Sequence, residues 1–328
     1  MSGKRFVPVA GALGVEIYAP ENSCVSFCDS PFPAHRDCGA LDIYPADAKF
    51  NDEVACPVNG IVRGVRRYCS PSLFPDKPPI YEYLTLIESE ENPSVYVKII
   101  HACPKVSKGE RVNVGDKIGV LIHSGYYPFW VDPHIHVELR SPKDPERASG
   151  SHSLGVFNAG RSEEHVPKVP NEGSIVGIVR KKEKRYAIVQ PNLEHWVKVD
   201  PFSGLRVSTE KGDGILDGGI PFMGYAGVIA RYEMKAGSQV YTGGTRIGEV
   251  TESLNGVTKM NTVAFKIIVR GLEYLGLSSN LCLGDICQFK LIPMKVGQIN
   301  LQVGETITIK IAEELKQVKR GKKKSPSR

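Results

Sequence analysis

Apolar and polar positions alternate in short runs along most of the chain. GIVRGVR at Gly60–Arg66, YLTLIES at Tyr83–Ser89, VYVKIIH at Val95–His101, KIGVLIH at Lys117–His123 and HIHVELR at His134–Arg140 are β-branched or alternating. Each is bounded by turn formers, so each is expected to be a strand. The 3.6-residue helical period is scarce, and the best amphipathic helix candidate is the short segment Ile311–Val318. Ser70–Pro79 carries four prolines and reads as a loop that interrupts a strand pair.

A weak repeat runs through this pattern. KGERVNVGDKIGV at Lys108–Val120 and AGSQVYTGGTRIGEV at Ala236–Val250 share G-x-x-V-x-x-G followed by I-G, with one extra residue in the second copy. SIVGIVR at Ser174–Arg180 echoes Gly60–Arg66, and VGQINLQVGETI at Val296–Ile307 is a shorter third echo. The expected fold is therefore mainly β, with two related β-sandwich modules, barrel-like in character. The boundaries fall at 1–145 for the first module, 146–170 for an irregular linker, 171–312 for the second module and 313–328 for a basic tail. The linker follows from Ser141–Pro170, which is rich in Ser, Pro, Gly and charge.

Composition narrows the picture. The 328 residues are 41% hydrophobic and 24% charged, which excludes a disordered, collagen-like or coiled-coil chain. The formal charge of +6 invites a nucleic-acid reading, but the last thirteen residues, KQVKRGKKKSPSR, hold seven Lys or Arg and no acid. Removing those seven leaves 35 basic residues against 36 acidic ones. The positive charge belongs to the tail, read as a solubilising extension with weak anion or nucleic-acid contact as the alternative. No run approaches the roughly 20 apolar residues that span a bilayer. The N-terminal apolar run is broken by Glu16 and Pro20 and is too weak for a signal peptide. A cytoplasmic protein with reduced or metal-bound cysteines is expected.

The chemistry-bearing residues concentrate in the first half. Six of the eight histidines precede residue 153. Cys38 and Asp42 stand four apart in DCGALDIYP, and His134 and His136 stand two apart in DPHIHVEL; on strands, each pair shares a face. Three N, O or S ligands with an open position make a catalytic zinc site, and a neighbouring imidazole moves protons near neutral pH. Asp42, His136 and one further ligand, flanked by His101 and His134, supply those parts.

In this ordered set the chain resembles the lysostaphin-type zinc metallopeptidases. The resemblance rests on Asp42, CPVNGIV at Cys56–Val62, His101 at a strand end, KGERVNVGDKIGV, and HIHVEL at His134–Leu139, and covers roughly residues 30–140. It implies a mainly β fold of lipoyl-like or duplicated-hybrid-motif type for the two modules, and that Asp42 and His136 bind zinc. It also implies that His134 and His101 flank the water and the substrate carbonyl, and that a peptide or amide bond is hydrolysed. The family has His four residues before its Asp, where this chain has Cys38; His35 is the other candidate for that ligand. A separate possibility is a structural zinc site of Cys24, Cys28, His35 and Cys38. Cys282 and Cys287 read as core thiols, and His123, His152 and His165 as surface residues.

The second module lacks the histidines. Aligning the repeat places Ala230 at the position of His101 and NTVAFKIIV where HIHVELR stood, so a packing, recognition or dimerisation role is expected of it. GYAGVIARYEMKAGSQVYTGGTRIGEV also resembles the pyruvoyl-dependent phosphatidylserine decarboxylases, although Ser253 follows Glu252 and not the glycine of their cleavage motif. The competing class is a non-catalytic scaffold that keeps the fold for binding.

Overall fold

The computed structural model describes residues 5–70, 80–157 and 173–313. The fold is mainly β, with 55% of the described residues in strands and almost no helix among them. Among the described residues no helix is long and apolar enough to cross a membrane. Ser70–Pro79 beyond its first residue, the second half of the expected linker with His165 (residues 158–172), and the basic tail beyond Glu313 lie outside the described residues.

One antiparallel sheet carries the first half. Its strands are β1 (Cys24–Ser26), β2 (Ala40–Tyr44), β3 (Gly60–Ser70), β4 (Ile80–Ser89), β5 (Tyr96–Ile100) and β6 (Ile135–Arg140). They lie in the spatial order β1-β2-β6-β5-β4-β3. The central strands ALDIY and IHVELR are buried at every position, so the polar residues that alternate along the second, His136, Glu138 and Arg140, are buried together on one face. Among the described residues of this half the single helix is one turn, α1 (Pro33–Arg36), started by Pro33, whose missing N–H costs nothing at that position.

The second half contributes β7 (Ser174–Lys182), β8 (Ala187–Pro191), β9 (Phe202–Thr209), β10 (Gly212–Ile220), β11 (Tyr225–Ile229), β12 (Gln239–Thr242) and β13 (Thr245–Leu254). It continues with β14 (Val257–Thr262), β15 (Phe265–Val269), β16 (Leu272–Ser279), β17 (Leu281–Leu283), β18 (Phe289–Pro293) and β19 (Thr306–Glu313). Strands β9-β10-β11-β14-β13-β12 pair in a circle that closes on β9, a six-stranded barrel. The pairings β7-β8-β18-β16-β15-β19 also return to β7. Strand β10 serves both circles, because Gly218–Ile220 pair with β16. The expected helix at Ile311–Val318 is not formed where it is described. Ile311–Glu313 end β19, whose TITIKIAE alternates exposed and buried residues with the period of a strand.

The repetition is a local unit in three copies. Gly109 N–H donates to Val62 O and Val62 N–H to Glu110 O, with Val112 opposite Gly60. Gly304, Glu305 and Ile307 stand in the same relation to Val179 and Gly177, and Gly237, Ser238 and Val240 to Val250 and Gly248. A Cβ on Gly60, Gly177 or Gly248 would strike the carbonyl of Glu88, Gln190 or Asn261 on the next strand, which explains the recurring glycine. Beyond this unit the pairings differ. Lys117–Leu121 pairs with Glu53–Ala55 and Ala102–Pro104 outside the main sheet, whereas β12 and β13 form a hairpin within the barrel. The strand pairings thus repeat a three-strand unit, not one complete module.

The halves are joined. β1 pairs with β17, and β17 with β9, so the first sheet runs on into the second half. The core of the first half includes Phe202, Ile215, Ile229, Val257 and Leu281. Cys24 and Cys282, register partners on β1 and β17, form a disulfide. This corrects the expectation of eight reduced or metal-bound cysteines and of Cys282 as a thiol; the two lie 258 residues apart, a separation at which sequence carries no pairing signal. Cys287 is a buried thiol.

Candidate metal centre

Asp42 on β2 and His136 on β6 are direct register partners, which sets their side chains on one face of the sheet. The turn α1 delivers His35 onto that face. Its Nδ1 lies 2.8 Å from Phe27 O, so Nδ1–H donates there and Nε2 is turned inward. His35 Nε2 is 3.0 Å from His136 Nδ1 and 3.2 Å from Asp42 Oδ1, and His136 Nδ1 is 2.9 Å from the same oxygen. All three residues are buried. They form a group that could hold a metal ion.

The donor set fits one. The far nitrogen of His136, Nε2, is 3.0 Å from Glu138 Oε1, so it donates there and leaves the Nδ1 lone pair facing Asp42. The Phe27 carbonyl likewise leaves the Nε2 lone pair of His35 facing inward. Two imidazole lone pairs and a carboxylate oxygen then converge within 3.2 Å, an arrangement that repels itself unless a cation lies between them. In the metal-free protein a proton takes that place: burial pulls the pKa of His136 down, but Asp42 and Glu138 outweigh it and raise it to about 9. A tetrahedral ion with bonds of about 2.0–2.1 Å holds its donors about 3.3–3.4 Å apart, a few tenths of an ångström beyond these separations.

A second layer fixes the first. Glu138 is 1% exposed and is held by Lys98 Nζ at 2.7 Å and Arg140 Nη1 at 3.2 Å. Burial pushes its pKa up, but His136 and Lys98 prevail and lower it to about 2. Asp42 is likewise pushed up by burial and held well below the usual carboxylate range by His35, His134 and His136. Carboxylates behind ligating imidazoles set tautomer and orientation.

His134 and His101 flank the group. His134 Nδ1 lies 2.8 Å from Asp132 O, and Nε2 is 3.5 Å from Asp42 Oδ2. Burial lowers its pKa to about 4 despite Asp42, so it is neutral at physiological pH. His101 follows Ile100, which pairs with His136, and adopts a positive φ of 71° that turns it into the cleft. Its Nδ1 is 2.8 Å from Glu82 Oε2, and its backbone N–H donates to Glu82 Oε1. Ser124 Oγ and the Tyr83 N–H also donate to Glu82, so this fully buried carboxylate is satisfied on both oxygens. The ring centroids of His101 and His134 are 5.1 Å apart.

These groups floor a cleft of about 580 Å³. Its walls are aromatic: Phe32, Tyr44, Tyr68, Tyr126, Tyr127 and Trp130 from the first half, and Phe222 from the second. Trp130 and Phe222 meet edge to face at 5.1 Å. The second half therefore builds part of the cleft wall. It also anchors the loop before β6, because Asp132 is held by Lys290 at 2.9 Å, by Arg185 and by Tyr186 Oη.

Of the two candidates for the remaining ligand, the fold brings His35 to the group. Cys38 is buried beyond the end of α1, and its thiol neighbours the free thiol of Cys28. The one-turn helix inserts the bend that returns His35 to the Asp42 face. The four residues expected to form a structural zinc site are not gathered, since Cys24 is in the disulfide, Cys28 meets Cys38 and His35 joins Asp42. His123 is exposed beside Phe50, and His152 is half-buried. Sequence reasoning missed Glu82, Glu138 and Lys98. Glu138 had a signal, standing two residues after His136 on the same strand face; Glu82 had none.

A family model described as an N-terminal domain of unknown function (DUF8155) matches residues 14–156, a span that holds His35, Asp42, His101, His134 and His136. No curated protein matches the chain. Among solved structures, the solution structure of lysostaphin aligns at a TM-score of 0.24 and 12% identity, over 68% of this chain and 80% of that one. At that score the two do not superimpose as wholes, and what the chain offers for a functional reading is its own cluster: three converging donors, two flanking imidazoles and an aromatic cleft.

Proposed function

We propose that the chain is a zinc-dependent hydrolase of peptide or amide bonds, with His35 Nε2, Asp42 Oδ1 and His136 Nδ1 as the ligands. The observation that carries this reading is the convergence of those three atoms within 3.2 Å, each imidazole fixed by an acceptor on its far nitrogen. Zinc bound by two nitrogens and one oxygen suits this donor set, and supplies Lewis acidity that polarises a carbonyl and acidifies water.

The chain's own residues do the rest. His134, neutral and fixed by the Asp132 carbonyl, accepts a hydrogen bond from the attacking water and orients it. His101 donates Nδ1–H to Glu82, which leaves Nε2 as the basic nitrogen. It takes a proton from the water and returns it to the departing amine. Glu82 stabilises the imidazolium formed between those two events, as a carboxylate behind a catalytic histidine does. The aromatic walls seat the chain on either side of the bond and exclude water. An extended segment of a few residues suits a cleft of about 580 Å³.

The test is metal content joined to turnover. Purified protein is expected to hold about one zinc per chain, to lose it on chelation, and to hydrolyse members of a mixed peptide library only when zinc is restored. The substitution His136→Ala is expected to abolish both properties. A folded protein that takes up no zinc would falsify the reading and leave a non-catalytic binding role.

A further inference from the structure

The two imidazoles of the metal group are held from behind in different ways. His136 donates to the carboxylate of Glu138, whereas His35 donates to a backbone carbonyl, that of Phe27, at 2.8 Å. A neutral carbonyl is a weaker acceptor than a carboxylate. What lies on the other side of that peptide changes the comparison. Phe27 O and the Cys28 N–H belong to one trans peptide, so they point in opposite directions. The Cys28 N–H is aimed at Asp217 Oδ2, 3.1 Å away.

Asp217 stands on β10, in the second half, and is fully buried. Three groups of the segment 26–28 donate to it. Ser26 Oγ donates to Oδ1 at 2.6 Å, and the Phe27 N–H donates to Oδ2 at 2.7 Å beside that of Cys28. Ser26 Oγ also accepts from the Asp29 N–H at 2.8 Å, which closes the turn around the carboxylate. The fit is close. A Cβ on Gly227, which pairs with Asp217 from β11, would come within 2.8 Å of Cys28 Sγ. Further along, Tyr225 Oη donates to Ser30 O, and Lys259 Nζ donates to Arg36 O. The segment that carries His35 is thus anchored to the second half on both sides of that residue, and the anchor at Asp217 adjoins the peptide that His35 touches.

We propose that Asp217 is the positioning residue of His35, a buried carboxylate that acts on the ligand through the Phe27–Cys28 peptide as Glu138 acts on His136 directly. A negative charge at the N–H end of a peptide polarises it and makes its carbonyl a stronger acceptor. That carbonyl keeps the proton on His35 Nδ1 and leaves Nε2 basic and aimed at Asp42 and His136. The inference rests on His35 as a ligand of the proposed zinc site and places the control of that ligand in the second half.

Burial raises the Asp217 pKa to about 7 against the pull of its three donors, so the tests are run at about pH 8, where it is ionised. In metal-free, full-length protein with ¹⁵N-labelled histidine, His35 is expected to carry its proton on Nδ1, in a resonance assigned by its absence from His35→Ala. Asp217→Asn keeps the shape and removes the charge, and is expected to move that proton upfield as the bond to Phe27 O weakens. Zinc affinity, from competition with a chelator, is expected to fall about 10-fold or more in Asp217→Asn, and to be the same in His35→Ala with or without that change. A merely structural loss would lower both backgrounds equally, and that result overturns the proposal. So does an unshifted His35 proton, or a wild-type His35 protonated on Nε2, a result that needs no variant to fold. If the proton shifts in a protein that takes up no zinc, Asp217 positions His35 and the hydrolase reading falls. If zinc binds and the proton does not shift, the hydrolase reading stands without Asp217.

Discussion

Glu138 lies two residues beyond His136 on the same strand, and its Oε1 sits 3.0 Å from His136 Nε2, on the side away from Asp42. The carboxylate is itself held by Lys98 and Arg140, so it cannot turn away. A ligand whose far nitrogen donates to a fixed carboxylate is both oriented and more basic. Glu138→Gln keeps the shape and removes the charge. Zinc affinity is expected to fall about 10- to 100-fold, the usual cost of losing such a partner. Competition with a chelator of known affinity measures it, and an unchanged affinity would mean that His136 does not ligate through Nδ1.

The choice between His35 and Cys38 has an equally direct test. His35 Nε2 lies within 3.2 Å of both other donors, whereas Cys38 is not part of the group and its thiol neighbours that of Cys28. His35→Ala is expected to weaken zinc binding by more than about 100-fold, beyond the range for losing a supporting partner. Cys38→Ser should leave the zinc stoichiometry unchanged. The reverse result would place the thiolate in the site and require α1 to unwind.

Glu82 connects the site to the pH dependence of stability. Burial pushes its carboxyl up, but the bonds from His101, Ser124 and the Tyr83 N–H prevail, and its pKa is lowered below the ordinary value. A carboxyl with a depressed folded-state pKa contributes stability that is present above the unfolded value, about 4.3, and lost as pH falls through the folded one. Glu82→Gln is therefore expected to flatten the acid limb of the stability profile below about pH 4.3 and to lower stability at neutral pH. Urea midpoints for both proteins between pH 3 and 7 show this. Turnover, once a substrate is in hand, is expected to fall about 100-fold or more, because His101 loses its fixed tautomer and the partner for its charged form.

These residues were not equally legible. Asp42 and His136 could be read because strands keep a period of two, and the register that joins β2 to β6 brings together what alternation had placed on one face. His35 could not be separated from Cys38, because the decision lies in one turn of helix, too short to leave a periodic trace. Glu82 stands nineteen residues before His101 and reaches it only through the pairing of β4 with β5. The Cys24–Cys282 bond and the second half's share of the cleft are likewise products of long-range pairing. The repeat was visible as glycine and valine spacing, but the strands each copy pairs with are set by distant neighbours, so the spacing could not say whether modules or smaller units recur.

The loop before β6 gives the second half a measurable part in the site. Asp132 turns its carbonyl to His134 and its carboxylate to Lys290, Arg185 and Tyr186, so one residue links the flanking imidazole to β18 and to the turn that leads into β8. Burial pushes the Asp132 carboxyl up, and Lys290 with Tyr186 holds it below its ordinary pKa. Lys290→Met removes a buried cation, 7% exposed, and keeps most of the side-chain volume. Breaking a buried pair costs about 3–5 kcal/mol when the remaining charge has no other partner; Arg185 and Tyr186 remain here, so about 2–3 kcal/mol is expected from chemical denaturation. None of the three proposed zinc ligands pairs with Lys290, Arg185 or Tyr186, so stoichiometry should hold at about one per chain. The orientation of His134 is expected to relax, lowering kcat with little change in KM. Loss of zinc together with activity would instead show that the second half supports the metal ligands directly.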